Sequence, residues 1–122
     1  MALLREQFEA EQNARRALGQ ARINVTRGGL SGNERWWDVE LLLSNVGRAA
    51  ALRVKVWLVD AAGNPFSQEV SAGWPLHPGD EPRPVTVQVA RSSPSHLYPM
   101  TRWQDDDGEQ ERRSETEIVL SA

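Results

Sequence analysis

The sequence predicts a mainly β protein: a two-sheet antiparallel β-sandwich of about seven strands, preceded by one N-terminal α-helix. Three observations carry this. Residues 3 to 20 are rich in Ala, Leu, Glu, Gln and Arg, with neither Pro nor a β-branched residue. After Gly19 the apolar pattern changes to period two and recurs in several short runs. Those runs are separated by clusters of Gly, Pro, Asn, Asp and Ser, the residues of turns.

The opening segment, "MALLREQFEAEQNARRALGQ", has high helix propensity, and Gly19 supplies a stop signal. Leu3, Ala10, Ala14, Ala17 and Ala21 recur at helical spacings as a narrow seam of small residues, with Leu4, Phe8 and Leu18 beside it. An isolated helix of this length is marginal in water, so residues 1–20 are expected to dock, either on their own domain or on another chain. Residues 21–122 are expected to form the sandwich.

In "RINVTR", Ile23 and Val25 share one face of a short first strand, and "GGLSGNE" reads as a loop. "RWWDVELLLS" alternates Trp37, Val39, Leu41 and Leu43 against Trp36, Asp38, Glu40 and Leu42. "ALRVKVWLVD" places Leu52, Val54, Val56 and Leu58 opposite Arg53, Lys55, Trp57 and Val59. "DAAGN" is a turn with Gly63 or Asn64 at positive φ. "PFSQEVS" fits a short edge strand whose first residue, Pro65, has no N–H to donate. "WPLHPGDEPRP" is irregular, with four prolines. "VTVQVA" alternates Val85, Val87 and Val89 against polar residues, "RSSPSHLYP" reads as a loop, and "MTRWQ" is a strand of modest strength. "DDDGE" offers Asp107-Gly108 as a two-residue hairpin turn. "SETEIVLSA" closes the chain with Thr116, Ile118 and Leu120 on one side.

The order of these turn motifs carries a resemblance. "SNVGRAA" leads into a Val-rich strand and an Asp-x-x-Gly turn, "LHPGDE" precedes the next alternating strand, and "WQDDDGE" comes before the last. Over roughly residues 22 to 121 the chain resembles bacterial Ig-like β-sandwich modules of the CARDB-like or fibronectin-III-like kind. It departs from the simplest of them in its proline-heavy "WPLHPGDEPRP". The resemblance implies that "NVGRAA" is an arch carrying the chain between sheets. Burial agrees: the two strongest apolar faces, on either side of that insert, can cover each other only from sheets packed about 10 Å apart. An arch leaves Trp36 and Trp57 on the two outer faces.

Composition excludes several chemistries. No Cys is present, so neither disulfides nor thiol catalysis applies. Net charge is −3 with both signs interspersed, which is not the footprint of a nucleic-acid binder. The basic run in "ERRSE" has acidic neighbours on both sides. No apolar stretch approaches the roughly 18 residues of a membrane span, and the N-terminus is too acidic for a secretory signal. The expectation is a soluble chain, cytoplasmic if Met1 is the native start. His77 and His96 lie in separate proline-containing loops, and a Ser95–His96 pair has no nucleophile elbow around it. As a calcium loop, "DDDGE" would need Trp103 and Ser114 at ligand positions, and neither serves. "GGLSGN" lacks the lysine of a phosphate loop. The reading is therefore no enzyme, no cofactor and no metal.

What remains is a non-catalytic protein-interaction or assembly module. Its partner is another protein or a second copy of the chain. Its candidate contact residues are Leu3, Phe8 and Ala14 on the helix seam and Trp36, Trp57, Trp74 and Trp103 on the sandwich, Trp74 and Trp103 being taken as loop aromatics. Two alternatives stand beside it. One is an accessory envelope domain tied to the membrane through a span absent from this chain, an idea implied by the resemblance alone. The other is a small-ligand or glycan site stacked on indoles.

Overall fold

The computed structural model describes residues 20–120. The expected helix, with its candidates Leu3, Phe8 and Ala14, lies outside the described residues.

The described chain is mainly β, with every strand pair antiparallel. Its strands are β1 (Ile23–Gly32), β2 (Trp36–Asn45), β3 (Leu52–Val59), β4 (Val70–Ser71), β5 (Arg83–Ala90), β6 (His96–Asp105), β7 (Gly108–Arg113) and β8 (Ile118–Val119). One sheet has the order β1-β2-β5. The other runs β4-β3-β6-β7, with β8 also paired to β6. Val25, Val39, Leu41, Leu43, Val85, Val87 and Val89 of the first sheet share a single core with Val54, Val56, Leu58, Leu97, Trp103 and Ile118 of the second. This arrangement is consistent with a β-sandwich.

Residues 46 to 51 carry the chain from β2 in one sheet to β3 in the other, so the insert is an arch and not a hairpin. Asn45 explains its shape. Its buried amide oxygen accepts the N–H groups of Arg22 (3.2 Å) and Gly47 (2.9 Å). Its Nδ2 donates to the carbonyls of Ala49 (2.7 Å) and Leu76 (2.9 Å). All four hydrogen-bonding capacities of the amide are used, which is what allows a polar side chain to sit there. Gly47 passes so close to residues 20–22 that a Cβ would lie 2.5 Å from the Arg22 nitrogen. The Asn-x-Gly spacing is thus a packing requirement of the arch.

Four expectations about strand and turn bounds need correction. The segment "GGLSG" is strand and not loop: β1 runs on to Gly32, with a register shift between Arg27 and Leu30 that turns Leu30 opposite Val39 and onto the core. The glycines that suggested a loop form a bulge. β6 begins at His96, so "HLYP" is also strand. Pro99 is tolerated in this central strand because its carbonyl, which accepts the Ser114 N–H at 2.8 Å, points toward the β7–β8 side. A residue's N–H and C=O point the same way in a strand. The missing donor therefore faces the gap at residues 114–117, where the ladder is already broken. The hairpin loop is Asp106–Asp107, with Gly108 paired to Asp105 at φ 100°. Finally, "GEQERR" forms β7, whereas only Ile118–Val119 of the expected last strand is strand and Thr116 is exposed.

"PFSQEVS" does line the free edge of β3, but in two pieces. Pro65 bridges to Val59, and Val70–Ser71 pairs with Val56 and Lys55. Gly63 takes the positive φ of the preceding turn, at 89°.

Candidate interaction surface

The four candidate tryptophans of the sandwich separate into two buried and two open. Trp103 is on β6, not in a loop, and faces inward, 4% exposed, in the shared core. Its Nε1 donates to Asp105 Oδ2 at 3.1 Å, and the same oxygen accepts the Ala21 N–H at 3.0 Å. Asp105 Oδ1 meanwhile accepts the Asp107 N–H at 2.9 Å. The aspartate run is a hairpin turn bonded to its own backbone and to an indole.

Trp57 lies on the outer face of the second sheet, opposite Met100, yet is only 7% exposed. Arg102 lies over its ring with the guanidinium carbon 5.1 Å from the centroid. That guanidinium is held by Glu69 (3.2 Å), Glu111 (3.2 Å) and Glu109 (3.5 Å), while Lys55 reaches Glu69 at 4.0 Å. The hydrogen bond that Arg102 donates to Glu111, reinforced by the neighbouring carboxylates, raises the Arg102 pKa further, so it stays charged throughout the accessible pH range. Arg113 covers Tyr98 in a similar way, at 5.2 Å. Trp57 and Tyr98, on the outer face of this sheet, each carry an arginine of the same sheet over the ring.

Trp36 and Trp74 remain open, at 44% and 42% exposure. Trp36 stands at the end of β2 opposite Ala90. Asn33 places it there, its side-chain oxygen accepting the Arg35 and Trp36 N–H groups at 2.9 and 3.0 Å. Trp36 borders a cleft of about 810 Å³ whose walls include Phe66, Val70, Thr86 and Gln88. The cleft runs along the outer edge of β5, which among the described residues pairs only with β2. The Arg91 N–H bonds the Arg35 carbonyl at 2.9 Å, and counting back in twos, residues 89, 87 and 85 also point their amides at β2. The backbone groups of Thr86 and Gln88 therefore face the cleft.

Trp74 borders a smaller hollow of about 310 Å³ with Leu52, Arg53 and Pro75 among its walls. Its ring lies 5.2 Å from the Arg83 guanidinium carbon. Leu52, expected to face the core, is 45% exposed. Sequence reading missed this because the alternation in "LRVKVWL" carries no sign of the register shift between Leu52 and Lys55.

The two histidines are engaged separately within the described residues. His96 Nδ1 meets Glu117 at 2.6 Å, and His77 contributes backbone bonds to a turn with Asp80. Among the described residues no three His, Asp or Glu side chains are placed to share a metal ion, and no helix is long and apolar enough to cross a membrane. Asp60 has its pKa lowered by the hydrogen bond from the Asn64 side chain (3.0 Å) and then by backbone N–H groups of Asn64 and its neighbours. Its role is to fix the turn after β3.

No protein-family model matches the chain, and no curated protein matches it. Among solved structures it is similar to Northeast Structural Genomics Consortium target SoR45, determined by X-ray crystallography. The two share 12% identity and a TM-score of 0.43 over 82% of this chain and 85% of that one.

Proposed function

We propose that this chain is a non-catalytic protein-binding module on an Ig-like β-sandwich, and that its working surface is the cleft between β5 and residues 65–70. The observation that carries the reading is Trp36, left open at the end of a cleft beside a strand edge that no other described strand pairs with. Exposed large aromatics are enriched among residues that dominate protein contacts. An unpaired edge offers directional backbone hydrogen bonds to an extended segment. Phe66 and Val70 provide apolar wall for a side chain of that segment, and Asp38, which accepts from Gln88 Nε2 at 3.1 Å, stands on the polar side. The Ig-like assignment is supported by the Asn45–Gly47 arch between sheets and by the turn motifs of the sequence.

Random-peptide selection against the full chain, followed by calorimetry, tests this. Trp36→Ala removes the anchor. Thr86→Pro removes one edge N–H at a position where an edge strand tolerates proline. The reading expects extended ligands whose affinity falls at least about fivefold in each variant, with folding retained by thermal melt. Ligands indifferent to both changes, or no ligand and a monomer by light scattering, would refute it.

A further inference from the structure

A second surface, independent of the β5 cleft, is formed where the chain turns Leu52 outward. The residues around it alternate so that Leu52, Val54, Val56 and Leu58 would share the core face. Instead Leu52 pairs with Gln104, whose neighbour Trp103 points into the core, so Leu52 points away from it. The shift is made at Arg53, whose φ of 52° is the only positive value at a non-glycine among the described residues. Left-handed backbone is costly for arginine, and such conformations gather at binding and catalytic sites. The inner position goes to Ala51, fully buried and doubly hydrogen-bonded to Leu76 at 2.9 Å each way.

Leu52 emerges beside the other open indole: with Trp74 it lines the hollow of about 310 Å³ that Arg53 also borders. Arg83 lies over the Trp74 ring. Neither Arg53 nor Arg83 has a carboxylate within ion-pair distance among the described residues. Arg102 and Lys55, by contrast, are held by glutamates. In a chain of net charge −3, this is an apolar hollow bordered by Arg53, with the Arg83 guanidinium over the ring of its Trp74 wall. Arginine is the side chain best suited to grip carboxylates in a partly desolvated contact.

We propose that the Leu52–Trp74 hollow docks a protein segment carrying one large apolar side chain flanked by carboxylates. The apolar group seats between Leu52 and Trp74, and the carboxylates reach Arg53 and Arg83. Charge complementarity sets the partner's sign, and the hollow's size limits it to one anchor side chain.

Fluorescence anisotropy on the full chain tests this with a labelled peptide holding one leucine among glutamates, and with its lysine counterpart. The expected result is binding of the glutamate peptide only, weakened by added salt. Leu52→Ser and Arg83→Gln should each weaken it at least about fivefold, while Val119→Ser, an exposed apolar change on β8, leaves it unaltered. Amide chemical-shift mapping should place the peptide on residues 52–53, 71–75 and 83. The proposal is overturned by equal binding of the lysine peptide, by affinity unchanged in both variants, by shifts confined to the β5 cleft, or by no binding to the folded chain. Loss of the Trp36 effect in the peptide-selection experiment would leave this result standing.

Discussion

Asn45→Ala is the substitution that most directly examines the arch. Removing the amide strands the N–H groups of Arg22 and Gly47 and the carbonyl of Ala49, which have no other hydrogen-bond partner among the described residues. The fourth partner, the Leu76 carbonyl, still accepts from Ala51 and costs little. The three stranded groups are only partly buried, so about 1 kcal/mol each is appropriate, the low end for an unsatisfied group. The sum is about 3 kcal/mol, a large share of the stability of a domain this size. Urea unfolding of the full chain, followed by tryptophan fluorescence, measures it. Asn45→Asp sharpens the test. Its carboxylate keeps both acceptor roles but sets an oxygen against the carbonyls of Ala49 and Leu76, at the places where Nδ2 lies 2.7 and 2.9 Å from them. Burial and those carbonyls raise the folded pKa of the introduced acid above its unfolded value. Its penalty is then absent below the unfolded pKa and complete above the folded one, so this variant should regain stability relative to wild type on acidification. A loss under about 1 kcal/mol for Asn45→Ala, the scale of one ordinary hydrogen bond, would mean that water replaces the amide and that Asn45 does not organise the arch.

Gly47→Ala should cost about 2–3 kcal/mol by chemical denaturation, because the new methyl meets backbone atoms of residues 20–22 that cannot rotate away. Arg53→Gly should raise stability by about 0.5–1 kcal/mol, the left-handed penalty of about 1–2 kcal/mol being partly offset by the entropy of glycine; a melt shifted up by a few degrees is the readout. Trp57→Ala should destabilise by about 3 kcal/mol, as for a buried aromatic, and Trp36→Ala by under about 0.5 kcal/mol, as for a surface residue. An NMR titration should find Asp60 protonating below the ordinary aspartate value. The stabilisation from its turn bonds is then present above the unfolded pKa and lost as pH falls through the folded one.

Much of the architecture was legible because burial imposes period two. Val39, Leu41, Leu43, Val85, Val87 and Val89 are core residues as their alternation implies. The arch was legible from the need of two strong apolar faces for each other. β7 was not, since "GEQERR" offers no apolar period. It is a charged edge strand recruited by its hairpin partner, of the kind that blunts a sheet edge. The same limit hid "GGLSG" and "HLYP", where pairing with β2 and β3 outweighs local turn composition.

The candidate site divides in the same way. Sequence named Trp36, Trp57, Trp74 and Trp103, but composition cannot say which indoles stay open. Whether Trp57 is covered depends on Arg102, distant in sequence and brought across the ladder from β6. Leu52 was placed on the wrong face because a one-residue register shift inverts every side chain beyond it. The sequence by itself determined most of the alternating faces and the place of the arch, because both follow from the burial that neighbouring apolar residues demand. Only the tertiary structure decided which apolar side chains the two sheets could cover and which two hollows were left over, because covering is a property of neighbours that meet only after the chain has folded.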